Sequence, residues 1–402
     1  MKQLLIIGGG FAGLKAALSA AYEIKENNGD VEITLISDKD FLVIRPRLYE
    51  ANPADMKVPL QPILEPIGVN FLQGKASEID TDSRSISVAI TKHLATEVSY
   101  DRLILAAGSV LKTPPVPGIE KHSWNIDSYE AAVAFDDHLL KVARLPKLTG
   151  HNRFVIVGGG MTGIELATEL RSRLRDHADQ ATADAAEIIL IDQAQSVGPL
   201  PAETTAEIFE QALQDAKVTV KLGRTLSEIT PTSVTLDNGE EVETASVVIT
   251  AGMRANPLAD LLNRDQDQLG RLTVDGSLKV NEATDIYAAG DIASAHIDAD
   301  NLALMSCQHA MPMGAHAGYN AARDLMALPP RTYEQPNYVN CIDLGESGGV
   351  LTKGWDRQVA MSGPEAKELK RKINEDFIYP PQGDAVEILA KAHIDAQWGS
   401  ER

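Results

Sequence analysis

The sequence predicts an α/β protein with two Rossmann-like dinucleotide-binding domains and an additional C-terminal region. Two glycine-rich turns, at residues 8–13 and 158–163, each stand between an apolar strand and a helix of small residues, an arrangement typical of dinucleotide binding. A third stretch, residues 284–291, ends in Ala-Ala-Gly-Asp, where backbone can pass close to a bulky ligand. A chain of 402 residues is also too long for one hydrophobic core and suggests about two to three domains.

Composition and charge argue against several classes of protein. The formal net charge is −20 and the sequence pI is near 4.9, which disfavours binding to nucleic acid or to anionic lipid. Two cysteines, Cys307 and Cys341, give no disulfide framework. No apolar run reaches the roughly 18 residues that a transmembrane helix needs, and the chain opens on a core strand rather than a leader. We therefore expect a cytoplasmic protein, with or without a peripheral contact at the inner face of the membrane.

The first glycine-rich turn is predicted to bind the pyrophosphate of a dinucleotide. Gly8 makes the tight turn after an apolar strand, Gly10 lets backbone approach the phosphates, and Gly13 lets the helix pack closely on the strand. Phe11 and Ala12 lie between them at the start of the helix. A purely structural glycine turn is the alternative, which the strand–turn–helix context disfavours.

In such a domain an acidic residue usually ends the second strand and bonds the ribose hydroxyls. In this chain that acidic residue is displaced. Ser37 occupies the usual position after the strand of residues 32–36, and Asp38 follows it. A serine hydroxyl bonds ribose more weakly than a carboxylate does. Both Ser37 and Asp38 are therefore candidates for this contact.

Two arginines, Arg45 and Arg47, flank a proline in the apolar segment of residues 41–50. Buried guanidinium groups need anionic partners. Arg45 is therefore predicted to place positive charge near a bound cofactor, and Arg47 is the weaker candidate. A salt-bridged loop at an interface is the alternative.

The second glycine-rich turn repeats the first. Gly158, Gly160 and Gly163 take the same positions after an apolar strand, with Met161 and Thr162 at the start of the helix. We predict that this turn holds the pyrophosphate of a second dinucleotide.

Asp192 ends the second strand of this half, about 20–30 residues past the turn, where an acid bonds the 2′-hydroxyl of the ribose. No arginine occurs among residues 193–196, so a 2′-phosphate would meet a negative charge without compensation. The sequence therefore predicts NADH rather than NADPH.

Each half also closes with a strand that runs into a glycine. The strand of residues 103–107 ends with Ala107 and enters Gly108, and the strand of residues 247–251 enters Gly252. This repetition indicates an internal duplication, and both glycines are candidates for close contact with a cofactor.

The repeated halves predict a discontinuous order of domains. A proline cluster marks a linker, and residues 272–291 return to the first half. We assign three regions: a first dinucleotide domain of residues 1–115 and 270–335, an inserted dinucleotide domain of residues 116–269, and a C-terminal region of residues 336–402.

Four motifs make the chain resemble a known family. They are Gly-Gly-Gly-Phe-Ala-Gly-Leu at 8–14, Arg-Pro and Leu-Tyr-Glu within 45–50, Gly-Met-Thr-Gly-Ile-Glu-Leu-Ala at 160–167 and Tyr-Ala-Ala-Gly-Asp at 287–291. Over about residues 1–350 the chain is similar to the type II NADH dehydrogenases, FAD enzymes that pass electrons from NADH to a quinone. The resemblance implies FAD in the first domain and NADH in the inserted one.

The resemblance also implies roles for single residues. In the wider flavoprotein superfamily the turn at Gly290 and Asp291 closes over the flavin ribityl chain and pyrophosphate. After this turn the type II family carries Ala-Gln-x-Ala-x-Gln, and both glutamines face the quinone. At the aligned residues 307–312 this chain reads Cys-Gln-His-Ala-Met-Pro. Gln308 retains the first glutamine, whereas Pro312 replaces the second and offers no side-chain donor or acceptor. The resemblance implies a small, quinone-like acceptor, and Pro312 is the point at which this chain departs from the family pattern.

Glu165, Gln308 and Cys307 are the candidate catalytic residues, and His309 and Ala310 are candidate cofactor contacts. Glu165 matches the family glutamate that is proposed to couple nicotinamide and quinone chemistry, although a structural acid near a helix N-terminus is the alternative. Cys307 and Cys341 could form a redox pair like that of related sulfide:quinone reductases. Two small, partly buried thiols are the favoured reading, because no Cys-x-x-Cys motif is present.

His309 and His316 lie seven residues apart and would share one face of a helix. Pro312 argues against a regular helix through both, and no carboxylate or cysteine has a matching spacing. We therefore predict no metal site and expect solvated or capping histidines, with a proton donor near flavin or acceptor as the functional alternative.

The C-terminal region is less informative. Residues 364–377 would form an amphipathic helix with several lysines, which suits a solvated surface, a membrane contact or a dimer contact.

Two functions are alternatives to an NADH dehydrogenase. One is an NADH-responsive flavoprotein that resembles apoptosis-inducing factor, and the other is a reductase of a protein electron carrier. The acidic charge disfavours an acidic ferredoxin as that carrier.

Overall fold

The computed structural model describes residues 1–144, 150–198, 203–396 and 398. The protein is an α/β structure with two five-stranded parallel sheets, which confirms the predicted fold class. No helix among these residues is long and apolar enough to cross a bilayer. The last part of the predicted C-terminal region, residues 399–402, lies outside the described chain.

The first 115 residues build most of one parallel sheet and an antiparallel meander. The strands of the sheet are apolar runs, as expected for parallel strands buried on both faces. The elements are β1 (Lys2–Ile7), α1 (Phe11–Glu26), β2 (Val31–Ser37), β3 (Phe41–Val43), β4 (Lys57–Pro59), α2 (Gln61–Leu64), β5 (Val69–Gln73), β6 (Lys75–Asp80), β7 (Ser85–Thr91), β8 (Leu94–Ser99), β9 (Arg102–Leu105) and β10 (Ser109–Leu111).

The next segment repeats this plan with a second parallel sheet, in the strand order β11–β18–β12–β13–β14. Its elements are α3 (Ile119–His122), β11 (Trp124–Asn125), α4 (Tyr129–Ala143), β12 (Arg153–Val157), α5 (Met161–His177), α6 (Gln180–Ala185), β13 (Glu187–Asp192), α7 (Glu203–Asp215), β14 (Val218–Leu222), β15 (Leu226–Ile229), β16 (Ser233–Leu236), β17 (Glu241–Glu243), β18 (Ser246–Ile249) and β19 (Met253–Ala255).

The chain then returns to the first sheet. The elements are β20 (Leu272–Thr273), β21 (Ile286–Ala288), β22 (Ala293–Ser294), α8 (Cys307–Leu325), β23 (Val339–Asp343), β24 (Gly349–Lys353), β25 (Gln358–Gly363), α9 (Pro364–Lys372) and α10 (Ala385–Ala390). Strand β21 pairs in parallel with β9 and completes the order β21–β9–β1–β2–β5. Strand β10 pairs with β19 and links the two halves.

Helices α1 and α8 pack with almost no side chain between them. A Cβ atom at Gly314 would overlap the carbonyl oxygen of Ala12, and one at Gly318 would overlap that of Ala16. Glycine is therefore required at both positions for this close approach. The packing brings the N-terminus of α8 beside the N-terminus of α1, where the first glycine-rich turn lies.

Helix α8 continues through Pro312, contrary to the expectation that this proline separates the two histidines. Proline cannot donate to the carbonyl of Gln308 one turn earlier, but the side-chain amide of Gln335 does so at 3.0 Å. The helix therefore loses no hydrogen bond at that carbonyl. His309 and His316 are both buried, so the expectation of solvated histidines was also wrong.

Asp324, near the end of α8, ties this helix to the first sheet. Its carboxylate accepts hydrogen bonds from Arg102 at 2.8 and 3.0 Å, from Lys279 at 3.0 Å and from the Tyr287 hydroxyl at 2.9 Å. Burial alone would raise the pKa of Asp324, but these donors outweigh it and hold the pKa well below its usual range.

Replacement of Asp324 by asparagine should lower the free energy of unfolding by about 2 kcal/mol at neutral pH, because charge-assisted bonds are lost. The pKa of Asp324 is lower in the folded state than in the unfolded state. The stabilisation that Asp324 contributes to the fold is therefore complete above the unfolded-state pKa of about 3.9 and is lost as the pH falls below it. Urea denaturation should show the advantage of the wild type shrinking below about pH 4. A difference that stays constant down to pH 3 would contradict this expectation.

The residues after 336 divide into two parts. Strands β23, β24 and β25 form an antiparallel sheet, which packs with α9 beside α5. The predicted helix of residues 364–377 is regular only to Lys372 and then widens at Ile373–Phe377. The final part, with α10, packs on α1.

Candidate active site

The first glycine-rich turn forms an open cradle at the carboxyl end of β1. Gly8 has a φ of 115°, which strongly favours glycine. A Cβ at Gly13 would overlap the carbonyl oxygen of Gly8, whereas a Cβ at Gly10 would meet no atom within 4 Å. Phe11 and Ala12 begin α1, which has no side-chain cap at its N-terminus. Free backbone N–H groups and open space beside Gly10 suit an anionic group such as a pyrophosphate.

The structure separates the two candidates for the ribose contact. Ser37 is the last residue of β2 and is buried, and its hydroxyl lies next to the turn, because a Cβ at Gly9 would be 2.7 Å from the Ser37 Oγ. The Oγ also accepts from the N–H of Lys39 at 3.3 Å. Asp38 is exposed. Ser37 is therefore the better placed of the two for a ligand of this turn.

Asp291 lies in a partly buried cluster with Arg45. The Ser109 hydroxyl donates to Asp291 at 2.6 Å, and Arg45 donates to Ser109 at 2.8 Å and also pairs with Asp127. The Arg45 guanidinium is 3.5 Å from Asp291. Burial raises the pKa of Asp291, and Arg45 and Ser109 oppose this shift. Arg45 thus has anionic partners for its partly buried charge, and its pair with Asp127 joins the two halves of the chain.

Gly290 brings this cluster against both helix termini. Its φ is 76°, and a Cβ there would lie 2.8 Å from the Cβ of Ala12 and 3.6 Å from the Cβ of Ala310. Gly108, at the end of the neighbouring strand β9, has a φ of 71° and open space at its Cβ position. The preceding carbonyl, that of Ala107, accepts from Asn256 at 3.2 Å. Gly290 therefore lies against the first turn of α1, and Gly108 follows the strand that neighbours β1.

The first turn of α8 presents two buried polar atoms without a partner in the described chain, the Oγ of Ser306 and the Nε2 of His309. The amide of Gln335 donates to Gln308 O, so its oxygen accepts from Tyr333 and from His309 Nδ1, at 2.8 and 3.0 Å. His309 therefore carries its proton on Nδ1, and Nε2 keeps a lone pair. Unpaired polar atoms at a helix N-terminus fit the polar edge of a bound ring system.

The second turn has the same geometry as the first. Gly158 has a φ of 118°, a Cβ at Gly163 would overlap the carbonyl oxygen of Gly158, and a Cβ at Gly160 would meet no atom within 4 Å. Met161 and Thr162 begin α5, again without a side-chain cap. This turn is therefore equally suited to a pyrophosphate.

Asp192 ends β13 beside this turn. Its carboxylate accepts from the backbone N–H of Gly159 and, at 2.7 Å, from that of Ala194. Sequence reasoning overlooked Arg224, whose backbone N–H donates to the carbonyl of Asp192 at 3.0 Å. The Arg224 guanidinium donates to Gly223 at 3.1 Å. Strand pairing between β13 and β14 brings this arginine close, which no local motif indicates.

Gly252 follows the closing strand of the second half with a φ of 67°, and the nearest atom to its Cβ position is the Cβ of Lys112 at 3.8 Å. The positions of Gly108 and Gly252 are therefore equivalent in the two halves, as their sequence contexts predict.

Glu165 forms a buried ion pair with Lys370. The two charged atoms are 2.9 Å apart, and the side chains are only 9% and 10% exposed. Glu165 also accepts from the N–H of Asp343 at 3.1 Å. Burial raises the pKa of Glu165, and the Lys370 ammonium opposes this shift. Burial acts to lower the pKa of Lys370, but the Glu165 carboxylate acts more strongly, and the pKa of Lys370 is raised. The pair therefore holds a charged ammonium next to α5 of the second half.

Lys370 was not among the predicted residues. It lies on the buried face of α9 with Ala366, four residues earlier, and Asn374, four residues later. Its ammonium is 5.8 Å from the centre of the Tyr49 ring. The sequence carries no clear signal for this burial, because the residues four positions away on either side are a small alanine and a polar asparagine.

The two cysteines are free thiols near this pair. Burial raises the pKa of Cys307 and that of Cys341 to about 11, and Lys370 opposes both shifts. Cys341 donates to the carbonyl of Ala366 at 3.6 Å. Both thiols are therefore protonated at neutral pH, whereas a redox thiol reacts as the thiolate. This favours the interpretation of two small, partly buried thiols.

Gln308 is engaged by the backbone. With its amide oriented to match its neighbours, the side chain donates to the carbonyl of Val339 at 2.6 Å and accepts from the N–H of Val339 at 3.2 Å. The residue thus joins α8 to β23. Among the described residues no three histidine, cysteine or acidic side chains are grouped to hold a metal.

Comparisons with known proteins place this site in context. The model of the pyridine nucleotide-disulphide oxidoreductase family matches residues 2–314. The chain is 40% identical to an NADH dehydrogenase-like protein of Mycobacterium tuberculosis, over 98% of each chain. It is 25% identical to the type II NADH:quinone oxidoreductase of Staphylococcus epidermidis, over 94% of this chain and 95% of that one.

The solved structure of NDH2 from Plasmodium falciparum in complex with NADH has a similar fold. It superposes with a TM-score of 0.75 at 14% identity and covers 92% of this chain and 94% of that one.

Proposed function

The chain belongs to the pyridine nucleotide-disulphide oxidoreductase family, and on this basis we propose that it oxidises NADH, with FAD as its resident cofactor, and passes the electrons to a small, quinone-like acceptor. Two equivalent glycine turns carry this proposal, because there is open space at Gly10 of the first turn and at Gly160 of the second. Two dinucleotides, one resident and one exchanging, would account for both turns.

The residues of the first half fit FAD. The open position at Gly10 suits the pyrophosphate, and the buried Ser37 hydroxyl suits the ribose. Asp291 would bind the ribityl chain. Ser306 and His309 supply polar atoms that have no partner in the described chain. Residues 1–115 and 270–335 would then form the FAD domain. Bound FAD would supply the ring system that accepts hydride and releases electrons.

The residues of the second half fit NADH. Gly160 leaves room for the pyrophosphate, and the Asp192 carboxylate lies beside the turn, where it would bond a ribose hydroxyl. A 2′-phosphate at that point would repel the carboxylate. Residues 116–269 would form the NADH domain, with NADH preferred over NADPH.

The Glu165–Lys370 pair supports an acceptor that takes up protons with its electrons. A quinone needs two protons for full reduction, and a buried ammonium held by a carboxylate is a suitable donor. The pair joins the second half to α9 and lies near Cys307. The name of the Staphylococcus relative, an NADH:quinone oxidoreductase, supports the same acceptor class.

Anaerobic stopped-flow absorbance of the purified yellow protein would test this function. We expect rapid bleaching of the flavin by NADH, slower bleaching by NADPH by about 100-fold, and rapid reoxidation by a short-chain quinone. Protein that contains no flavin and cannot be reconstituted with FAD would refute the flavoprotein assignment. Rapid bleaching with slow reoxidation by every quinone tried would refute the acceptor class and leave the NADH reaction standing.

A further inference from the structure

We propose that residues 384–396 together with Trp398, which we call the C-terminal strap, belong to the cofactor site, and that docking of the strap on α1 and binding of FAD at the N-terminus of α1 stabilise each other. This inference rests on the proposed function, since it assumes FAD at the first glycine turn. Lys15 and Trp398 are the residues that would connect the two events.

The strap is held by apolar contacts, by one aromatic contact with α1 and by one ion pair to a residue outside α1. Besides Trp398, four apolar side chains of the strap are buried, and the ring of His393 meets that of Tyr22 edge to face at 5.4 Å. Arg331 pairs with Asp395 at 2.9 Å. The buried apolar residues are Ile388, Leu389, Ala392 and Ile394.

Lys15 of α1 is almost completely covered by the strap, with 3% of its surface exposed. Its ammonium donates to the carbonyls of Lys391 at 3.1 Å and Ala396 at 2.8 Å, and it lies 5.5 Å from the ring centre of Trp398. Lys15 follows Phe11 by one helical turn, and helical side chains lean toward the N-terminus. The ammonium therefore lies toward the end of α1 that forms the cradle.

Trp398 connects the strap to the cradle directly. Its ring packs on Phe11, the first residue of α1, with the ring centres 6.3 Å apart. It is 3% exposed, and its indole N–H has no hydrogen-bond partner among the described residues. An unpaired buried donor beside an anion-binding turn indicates that a group with acceptors completes this site.

Charge explains why the two events should be coupled. In the described chain no carboxylate forms an ion pair with Lys15, and burial, with a smaller effect of the Lys391 ammonium, lowers the pKa of Lys15 to about 8. Docking the strap over a cation without a counter-charge is costly. The pyrophosphate of FAD would bring negative charge to the same end of α1 and reduce that cost. Because coupling is reciprocal, the docked strap would also raise the affinity for FAD.

Dissociation of FAD from the full-length holoprotein, followed by the rise in flavin fluorescence, would test this coupling. Replacement of Lys15 by methionine should raise the dissociation constant for FAD about tenfold or more. It should also lower the temperature of flavin release more than the temperature of protein unfolding. Lys25→Met removes an exposed lysine from the other end of the same helix and should leave both quantities unchanged.

Trp398→Phe keeps an aromatic ring beside Phe11 but removes the pyrrole ring with its N–H. The dissociation constant for FAD should therefore rise, in addition to any fall in the unfolding temperature of the flavin-free protein that the smaller side chain causes. If Lys15→Met and Trp398→Phe change the unfolding temperature but leave the dissociation constant for FAD at the wild-type value, the strap is only structural and the coupling is refuted. Wild-type protein that binds no FAD would instead refute the proposed function, so the two failures can be told apart.

Discussion

Replacement of Gly10 by valine is expected to give a folded protein without flavin, whereas replacement of Gly160 by valine should keep the flavin and abolish its reduction by NADH. Both glycines have backbone angles open to any residue, with φ −77° and ψ −172° at Gly10 and φ −72° and ψ −177° at Gly160. Neither added Cβ would meet an atom within 4 Å. The valine side chains would therefore not disturb the fold, but they would fill the space that each pyrophosphate needs.

The expected loss of affinity is at least about 100-fold for the dinucleotide of the altered turn, which corresponds to about 3 kcal/mol. Flavin absorbance per mole of protein measures the first effect, and anaerobic bleaching at increasing NADH measures the second. The two variants serve as controls for each other, because they carry the same change in equivalent turns. Loss of flavin from Gly160→Val, or retention of flavin by Gly10→Val, would show that the two turns have been assigned to the wrong cofactors.

Replacement of Lys370 by methionine should slow reoxidation of the reduced protein by a quinone by about 100-fold, the usual scale for loss of a proton donor. Bleaching by NADH should change by less than about twofold, since Lys370 lies in α9 and pairs with Glu165 rather than with either glycine turn. Separate stopped-flow measurements of the two half-reactions would show this division. Arg371→Met removes the next, exposed cation of α9 and should alter neither rate.

Replacement of Glu165 by glutamine should shift the pH dependence of the same step. Glu165 raises the pKa of Lys370, and burial acts in the opposite direction. Without the carboxylate the pKa of Lys370 falls, so its proton is lost at lower pH and the reoxidation rate should decline at lower pH than in the wild type. An unchanged pH profile, or equal slowing of both half-reactions, would contradict the role of this pair in proton delivery.

The fold and the nucleotide turns could be predicted from the sequence because their causes are local. A glycine at Gly8 or Gly158 is required by a positive φ, and one at Gly13 or Gly163 by contact with the preceding turn. These requirements repeat wherever a strand enters a helix through such a turn. The type II NADH dehydrogenase resemblance, read from the same motifs, agrees with the family match and the relatives.

The contacts of residues 307–312 could not be predicted from local spacing, because residues far apart in the sequence make them. Pro312 does not interrupt α8, since Gln335 bonds the carbonyl that the proline leaves free. Gln308 is paired with the backbone of β23. Neither partner is within one helical turn of the residue that it serves, so local spacing could not indicate either contact.

The α/β class, the two glycine turns and the position of Asp192 at the end of β13 could all be predicted from the sequence, because the geometry of strand, turn and helix depends on neighbouring residues. The pairing of Lys370 with Glu165, the raised pKa of both partly buried thiols and the cover of the strap over Lys15 became evident only from the folded structure. Burial and ion pairing depend on which surfaces meet, and that is settled by the packing of the whole chain.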